Sequence, residues 1–406
     1  MPDSNQHSRS ALRSKNFRIF LCGNSISVIG LWIQRLAFGW QAWQLSESPL
    51  VVGLVAGAQF IPLFLLTPFF GVIVDRIRRR NGAIIMMIIS VILAVLTLLN
   101  AITINWLLGL ALVHGIAFSA YSPIRLSLIP DLVAPSQLPS AVAINSIIFN
   151  ASRFIGPGIA GGIVTLYGVG FAYVANAVTY LPIIVALLLI KPVVAAPGPP
   201  KEARYIDQLL EGLRYTRDHP SIRQVILIAG ASTFFGRGII EIFPALVVLM
   251  FDGDSALLAA LMAAAGAGAI GASVIFSLLR SHRHLPAMVL MGAVGVGISM
   301  LLFATVSQVA YGLAVTSLLG FFATMVSIGS QSEMQIKVDN ELRGRVMSLW
   351  TLVIIGGPAI GSIVAGALAS KLGSTYTLLL FSGISLLLTA FLALRHPAST
   401  VTNGRD

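Results

Sequence analysis

Six charged side chains lie within otherwise apolar stretches of this sequence, and each is a candidate for binding or proton transfer. They are four arginines and two glutamates: Arg35, Arg125, Arg153, Arg237, Glu241 and Glu333. A charge at the centre of a bilayer costs about 2.5–3.5 kcal/mol on insertion scales, so each one is a functional candidate. The positive surplus favours an anionic substrate, because arginine holds a carboxylate through two parallel hydrogen bonds.

The position of each charge along its apolar run predicts its role. The predicted substrate-binding set combines three arginines with three amides: Arg35, Arg153, Arg237, Gln34, Gln59 and Asn150. Arg125 and Glu333 lie near the ends of their runs, where long side chains reach the interface, and are predicted to be gating residues. The alternative for the arginines is a structural role in buried pairs, and the amides could serve only to link helices.

Glu241 is the predicted proton carrier. It follows Arg237 by four residues, so the two side chains share a helical face and can pair. Loss of that contact would raise the affinity of Glu241 for a proton. His114 is a second candidate, because histidine titrates close to neutral pH. The alternative for a single histidine in a span is a hydrogen-bonded packing role.

Several kinds of chemistry are disfavoured by what the sequence lacks. It contains no Gly-x-x-x-x-Gly-Lys-Ser/Thr phosphate loop, which argues against ATP hydrolysis. It shows no paired-carboxylate or nucleophile arrangement, and its six histidines are scattered. The sole cysteine, Cys22, can form no intrachain disulfide. We therefore expect no enzymatic activity, no cofactor and no metal.

The composition indicates a membrane protein. Of the 406 residues, 56% are hydrophobic and only 10% are charged, and the mean hydropathy is +0.89. A typical globular chain is about 25% charged, so a soluble protein of this composition could not cover its surface with polar groups. The net charge of +11 would suggest nucleic acid in a soluble protein. Here we interpret it as a signal of topology and expect no nucleic-acid partner.

Twelve apolar runs are long enough to cross a bilayer, which takes about 20 helical residues. They lie near 17–45, 49–74, 83–102, 105–129, 140–166, 171–190, 222–250, 255–279, 285–305, 309–334, 346–370 and 374–394. The first run is too long for a secretory signal and carries Arg35. The pattern predicts an all-α membrane protein with twelve transmembrane helices in two six-helix, pseudo-symmetric bundles.

The distribution of lysine and arginine predicts the orientation, since cytoplasmic loops hold most of the positive charge. With the N-terminus inside, 21 of the 26 positive residues fall in cytoplasmic segments. Only Lys371 falls outside, and the other four lie within spans. A model with eleven or thirteen spans would distribute the lysines and arginines over both sides of the membrane. We therefore predict a protein of the inner membrane with both termini in the cytoplasm.

A polar stretch in the middle of the chain divides it into 1–190, a linker at 191–221, and 222–406. The linker begins with a proline-rich segment that cannot span a membrane. After it, five apolar residues recur at helical spacing: Tyr205, Ile206, Leu209, Leu210 and Leu213. This pattern predicts a short amphipathic helix on the inner membrane surface, and the alternative is a solvated linker helix.

The two halves also repeat a Gly-Pro pattern. Span five carries Gly156-Pro157 followed by Gly161-Gly162, and span eleven carries Gly357-Pro358 followed by Gly361. Matching positions of this kind are typical of parallel repeats around a central site. Glycines at these places permit close helix packing, and proline bends the helix.

The loop between spans two and three carries a recognisable motif. Gly71, Asp75, Arg76, Arg79 and Arg80 occupy the pattern of the signature loop of the major facilitator superfamily, which the sequence thus resembles. Arg78 replaces the usual second glycine. An ordinary positively charged inner loop would explain the arginines but not Gly71 and Asp75 at that spacing.

The resemblance extends over 17–395 and is strongest to the bacterial exporter branch that includes siderophore exporters. It implies alternating access, with the motif loop acting as a cytoplasmic latch. Carried over, Asp75 would cap span eleven near Arg345, and Arg79 would pair with Asp131. The glycines of span five look like the antiporter signature of superfamily exporters, with a spacing one residue longer than usual.

Together, these observations predict a monomeric transporter that exports a small anionic or polar, siderophore-like metabolite in exchange for protons. The first alternative is an efflux transporter of broad specificity for drugs or metabolites. The second is a membrane scaffold or sensor that transports nothing.

Overall fold

The structure is a computed structural model that describes residues 10–73, 79–190, 205–278 and 285–395. Nearly all of these residues lie in helices. Within those ranges there is no β-strand. The predicted all-α architecture is confirmed, and each of the twelve predicted spans coincides with a long helix or a bent helix pair.

The described residues of the first half of the chain form six long helices. They are α1 (Lys15–Ser46), α2 (Pro49–Ile73), α3 (Arg79–Leu98), α4 (Ile104–Asp131), α5 (Leu138–Tyr167) and α6 (Val169–Leu189). The linker contains α7 (Tyr205–Asp218). Span seven consists of α8 (Pro220–Ser232), a π-helical turn (Thr233–Arg237), α9 (Gly238–Glu241) and α10 (Phe243–Phe251). The last five are α11 (Ser255–Leu278), α12 (Leu285–Phe303), α13 (Val309–Lys337), α14 (Asn340–Leu372) and α15 (Ser374–Arg395).

One glycine in each half ends corresponding helices. Gly168 separates α5 from α6 with φ of +88°, and Gly373 separates α14 from α15 with φ of +85°. Side chains are disfavoured at such angles, so glycine is the residue that permits this abrupt connection. The two junctions follow spans five and eleven, which agrees with the repeat seen in the sequence.

Span seven is bent by 61° between Glu241 and Phe243. Two features account for the break. The π turn that ends at Arg237 alters the regular helical hydrogen-bond register. Pro244 has no backbone N–H to donate, so it is accommodated in the first turn of a new helix, α10, and not in the middle of a continuous one. The apolar run at 222–250 predicts one continuous span and gives no sign of the break.

The chain divides into two compact units. Unit 1 consists of Met1–Gln41 and Pro62–Lys201, and unit 2 consists of Ala42–Ile61 and Glu202–Asp406. The division near 201 falls within the predicted linker, and the three-part domain scheme stays a prediction. The first half of α2 therefore belongs to unit 2, which sequence alone did not indicate.

Each unit has its own apolar core. In unit 1, buried aromatic residues of α1, α4 and α6, including Phe17, Tyr121 and Tyr180, pack with residues of α3 and α5. In unit 2, the core joins α8, α12, α13 and α14 and includes Met334 and Trp350. Burial of apolar side chains between helices orients the polar side chains that remain inside each unit.

Within unit 2, the first half of α2 packs closely on the last half of α14. The hydroxyl of Ser362 donates to the carbonyl of Gly53 at 3.2 Å, and the amide of Leu50 donates to Ser370 Oγ at 3.0 Å. A Cβ on Gly53 would collide with the carbonyl oxygen of Ser362. Glycine at this position allows the two backbones to approach each other.

The predicted linker helix exists as α7, and it packs on the first turns of α14. A Cβ on Gly212 would stand 2.8 Å from the carbonyl oxygen of Arg345, and Glu211 forms an ion pair with Arg345. The hydroxyl of Tyr215 donates to Asp339 at 3.5 Å. Its predicted placement on the membrane surface stays a prediction, but α14 is the protein surface that it contacts.

Candidate functional site

Two of the arginines predicted to bind substrate meet at one tryptophan in unit 1. The guanidinium carbon of Arg35 lies 5.0 Å from the ring centroid of Trp32, and that of Arg153 lies 5.9 Å from it. Phe149 meets the same ring edge to face at 5.9 Å. Cations at these distances are attracted by the ring quadrupole. We call Trp32, Arg35, Phe149 and Arg153 the tryptophan cluster.

The backbone of α5 brings this cluster together. A Cβ on Gly156 would stand 2.5 Å from Cβ of Trp32 and 3.1 Å from the carbonyl oxygen of Ile29. Only glycine lets α5 approach α1 this closely. Pro157 and Gly161 are also buried, whereas a Cβ on Gly162 would meet no described atom within 4 Å. Close packing is therefore located at Gly156.

A buried amide network lies beside the cluster, between α1, α3 and α6. Ser90 donates to Gln34 Oε1 at 2.8 Å, and Asn176 Nδ2 donates to Ser90 Oγ at 2.9 Å and also to Gln34. A Cβ on Gly30 would collide with Asn176, so the glycine makes room for the amide. This arrangement assigns Gln34, a predicted substrate ligand, to a contact between helices.

Replacing Asn176 with alanine is expected to destabilise unit 1, because Gln34 and Ser90 would lose a buried partner. Such a loss typically costs about 1–3 kcal/mol. The matched control is Asn150→Ala, because the Asn150 amide donates to the carbonyl of Ser146 on its own helix, at 2.9 Å, and so links no second helix through that bond. The apparent melting temperatures of the two variants are compared in detergent. Equal temperatures for the two variants would contradict the network.

Arg125 lies inside unit 1 and is only 8% exposed. Its Nη1 donates to Asn24 Oδ1 at 3.1 Å. Its position near the end of its apolar run predicts a gating role. The structure places its guanidinium among buried polar groups of α1, and the predicted gating role stays untested.

His114 is enclosed by aromatic rings. Phe38 meets its ring edge to face at 5.5 Å, and Phe118 stacks on it at 6.0 Å. Neither ring nitrogen has a hydrogen-bond partner within the described part of the chain. These surroundings differ from the hydrogen-bonded packing role considered from sequence. A role in proton coupling stays a prediction.

The predicted proton carrier lies at the bend of span seven. Arg237 is the last residue of the π turn, and Glu241 is the last residue of α9. Both side chains are partly buried. A spacing of four residues brings two side chains to one face in a regular α-helix, but Arg237 belongs to the π turn and the regular helix resumes only after it. Their pairing stays a prediction.

The second Gly-Pro pattern meets this irregular region. A Cβ on Gly357 would stand 3.0 Å from the amide nitrogen of Phe234, and one on Gly361 would collide with the carbonyl oxygen of the same residue. A Cβ on Gly238 would stand 2.7 Å from the carbonyl carbon of Gly361. Pro358 is buried beside them. The glycines of α14 therefore pack against the π turn and α9.

The remaining predicted residues are distributed over several places. Gln59 donates to the carbonyl of Val55 on its own helix at 3.2 Å, and buried Glu333 pairs with Lys337 one turn later. Arg345, which the resemblance placed near Asp75, pairs with Glu211. The structure describes some of the other predicted latch residues and not the rest.

Among those latch residues, Asp75 and Arg76 lie outside the described residues. Gly71 and Arg79 lie at helix ends whose side chains are not described. Arg80 is exposed, and Asp131 is the last residue of α4. The latch therefore stays a prediction.

Sequence reasoning missed Trp32. One signal was present, because Trp32 precedes Arg35 by three residues and therefore lies on the same helical face. Its proximity to Arg153 depends on tertiary packing through Gly156 and had no local signal.

Comparisons with known proteins agree with this architecture. A family model of the major facilitator type, described as "Transmembrane secretion effector", matches residues 7–403. The staphyloferrin A transporter of Staphylococcus aureus is 24% identical over 366 residues, covering 89% of this chain and 91% of the relative. The enterobactin exporter EntS of Escherichia coli K12 is 27% identical over 400 residues, covering 94% and 92%.

Solved transporters share the fold at low identity. The nucleoside transporter NupG has a TM-score of 0.73 at 12% identity and covers 94% of this chain and 98% of its own. A bacterial homologue of the human lysosomal transporter Spinster has a TM-score of 0.71 at 15% identity and covers 94% and 97%. We conclude that this chain belongs to the transmembrane secretion effector family of the major facilitator superfamily, whose members are multi-pass membrane transporters and not enzymes.

Proposed function

We propose that this protein exports a small anionic, siderophore-like metabolite across the inner membrane by alternating access, in exchange for protons. The observation that carries the proposal is the tryptophan cluster, in which Arg35 and Arg153 flank the ring of Trp32 inside a membrane-embedded unit. Both termini would lie in the cytoplasm, as the 21 of 26 positive residues predicted on that side indicate.

The chemistry of the cluster suits a carboxylate or a catecholate. Guanidinium groups bind paired oxygen atoms with bidentate geometry, and Phe149, which is 39% exposed, can stack on an aromatic ligand. Trp32 is only 6% exposed, so its ring holds the two cations in place while offering little surface of its own. The names of two relatives, a staphyloferrin A transporter and an enterobactin exporter, support a siderophore as the substrate class.

The proposed coupling site is the bend of span seven. Glu241 stands next to the break at Ile242, where a change in the angle between α9 and α10 would alter its surroundings. A carboxylate in changing surroundings binds and releases a proton as its affinity changes. The π turn before it supports this assignment, since such turns are frequent at functional sites.

Uptake into inverted membrane vesicles tests both the proposed substrate class and the proposed exchange for protons. With an imposed pH gradient, acidic inside, we expect labelled staphyloferrin A or enterobactin to accumulate well above the level of vesicles without the protein. Dissipating the gradient with an uncoupler should remove the accumulation. Uptake that is the same with and without the gradient would contradict proton coupling. Accumulation of hydrophobic cations instead of either siderophore would indicate the broad-specificity exporter.

Replacing Glu241 with glutamine is expected to abolish gradient-driven uptake and to leave the amount of folded protein in the membrane unchanged. Glu47→Gln is the matched control, because Glu47 is exposed between α1 and α2. Full gradient-driven uptake by the Glu241→Gln variant would assign the coupling role to another residue.

A further inference from the structure

A second polar group in unit 1 combines a buried cation with two amides. Asn24 of α1 accepts a hydrogen bond from Arg125 of α4 at 3.1 Å and donates one to Asn145 of α5 at 3.1 Å. Asn24 is fully buried, Arg125 is 8% exposed, and Asn145 is partly exposed. The group, which we call the arginine–amide cluster, therefore opens towards the surface of unit 1 at Asn145.

No carboxylate of the described residues neutralises the charge of Arg125. No acidic side chain lies within 4.0 Å of it in the part of the chain that the structure describes. Its titratable neighbours among the described residues are the phenols of Tyr121 and Tyr180. Its Nε has no hydrogen-bond partner among the described residues, although the atom is buried. Burying a cation that has an unsatisfied hydrogen-bond donor costs folding free energy unless an anion pairs with the cation and accepts from that donor.

The position of this cluster relative to the tryptophan cluster follows from the helices that carry them. Asn24 and Trp32 are eight residues apart on α1, and Asn145 and Arg153 are eight residues apart on α5. Eight residues of α-helix rise about 12 Å. The same two helices therefore carry two cationic groups, separated by roughly two helical turns.

We propose that Arg125, Asn24 and Asn145 form a second anion-binding site, which takes a carboxylate group of a substrate that carries several anionic groups. Arg125 supplies the charge and the free Nε donor, and the amide of Asn145 supplies a donor at the accessible side. The inference rests on the proposed function only in taking the substrate to be an anion. A molecule with two anionic groups about 12 Å apart would contact both clusters at once.

Equilibrium binding of citrate to the purified full-length protein, compared with its uncharged triethyl ester, tests the site. We expect citrate to bind the unmodified protein at least about tenfold more tightly than the ester. Arg125→Gln should lower citrate affinity about tenfold and leave the ester unaffected, whereas Arg125→Lys should retain part of the preference. Arg214→Gln, an exposed position on α7, is the matched control and should change neither affinity.

A second variant supplies the anion from within the protein. Asn24→Asp places a carboxylate at the atom that now accepts from Arg125, and the amide of Asn145, which now accepts from Asn24, can donate to that carboxylate instead. The variant should therefore raise the melting temperature and weaken citrate binding about tenfold. Asn100→Asp makes the same change at an exposed position and should do neither. A lower melting temperature for Asn24→Asp, or an unchanged preference for citrate over the ester in Arg125→Gln, would overturn the proposal. If Arg125→Gln does not fold, the citrate affinity of Arg125→Lys and the melting temperature and citrate affinity of Asn24→Asp test the proposal instead.

These results are separable from the transport assay. Citrate binding that depends on Arg125, without siderophore transport, would support the site and contradict the substrate class. Siderophore transport with citrate binding that is independent of Arg125 would contradict the site alone.

Discussion

Gly361→Leu is expected to prevent α14 from packing on span seven. A Cβ at this position would collide with the carbonyl oxygen of Phe234. This obstacle is backbone, which cannot move aside as a flexible side chain can. Overpacking typically costs about 1–3 kcal/mol and more where the neighbours are rigid. We expect the melting temperature to fall by at least about 5 °C or the protein to elute as an aggregate.

The matched control for this substitution is Gly383→Leu in α15. A Cβ on Gly383 would meet no described atom within 4 Å, so leucine should be accommodated and should favour the helix by several tenths of a kcal/mol. Size-exclusion chromatography after heating in detergent measures both variants. Similar elution profiles and melting temperatures for the two would show that α14 and span seven do not approach as closely as described.

Trp32→Leu is expected to eliminate export, because the ring that holds Arg35 and Arg153 would be lost. Removing a large buried aromatic side chain also costs about 3–5 kcal/mol when it is truncated to alanine, and leucine restores part of the volume. Trp32→Phe keeps a ring with a weaker attraction for cations. We therefore expect uptake into inverted vesicles to decrease from the unmodified protein to Trp32→Phe and to reach background in Trp32→Leu.

Trp106→Leu is the control for this series, because Trp106 is 55% exposed at the start of α4. Its transport rate should match that of the unmodified protein. The amount of folded protein has to be measured for each variant, so that a transport loss is separated from a folding loss. Normal export by Trp32→Leu at normal protein levels would remove the tryptophan cluster from the substrate pathway.

The helices could be predicted from the sequence because each depends on local information. A run of about 20 apolar residues is sufficient to define a span, and polar breaks define its ends. The linker helix was also found from its spacing. Its contact with α14 was not, because Gly212 and Arg345 are far apart in the chain and nothing near either residue indicates the other.

The candidate site was predicted in part for the same reason. Charge within an apolar run identified Arg35, Arg125 and Arg153 directly. Which arginine meets an aromatic ring and which meets buried amides depends on how α1, α4 and α5 pack. The bend at Ile242 was missed because a π turn has no reliable signature in apolar periodicity.

The contact between α14 and span seven also has a consequence for biosynthesis. Gly361 is translated about 120 residues after Gly238, which takes roughly 6–25 seconds at the usual rates of elongation. During that interval the π turn and α9 lack the helix that later covers them, so the close contacts of Gly357 and Gly361 cannot form. A nascent chain that stops before α14 should therefore be a preferred substrate for membrane quality-control proteases, more so than one that stops before α15.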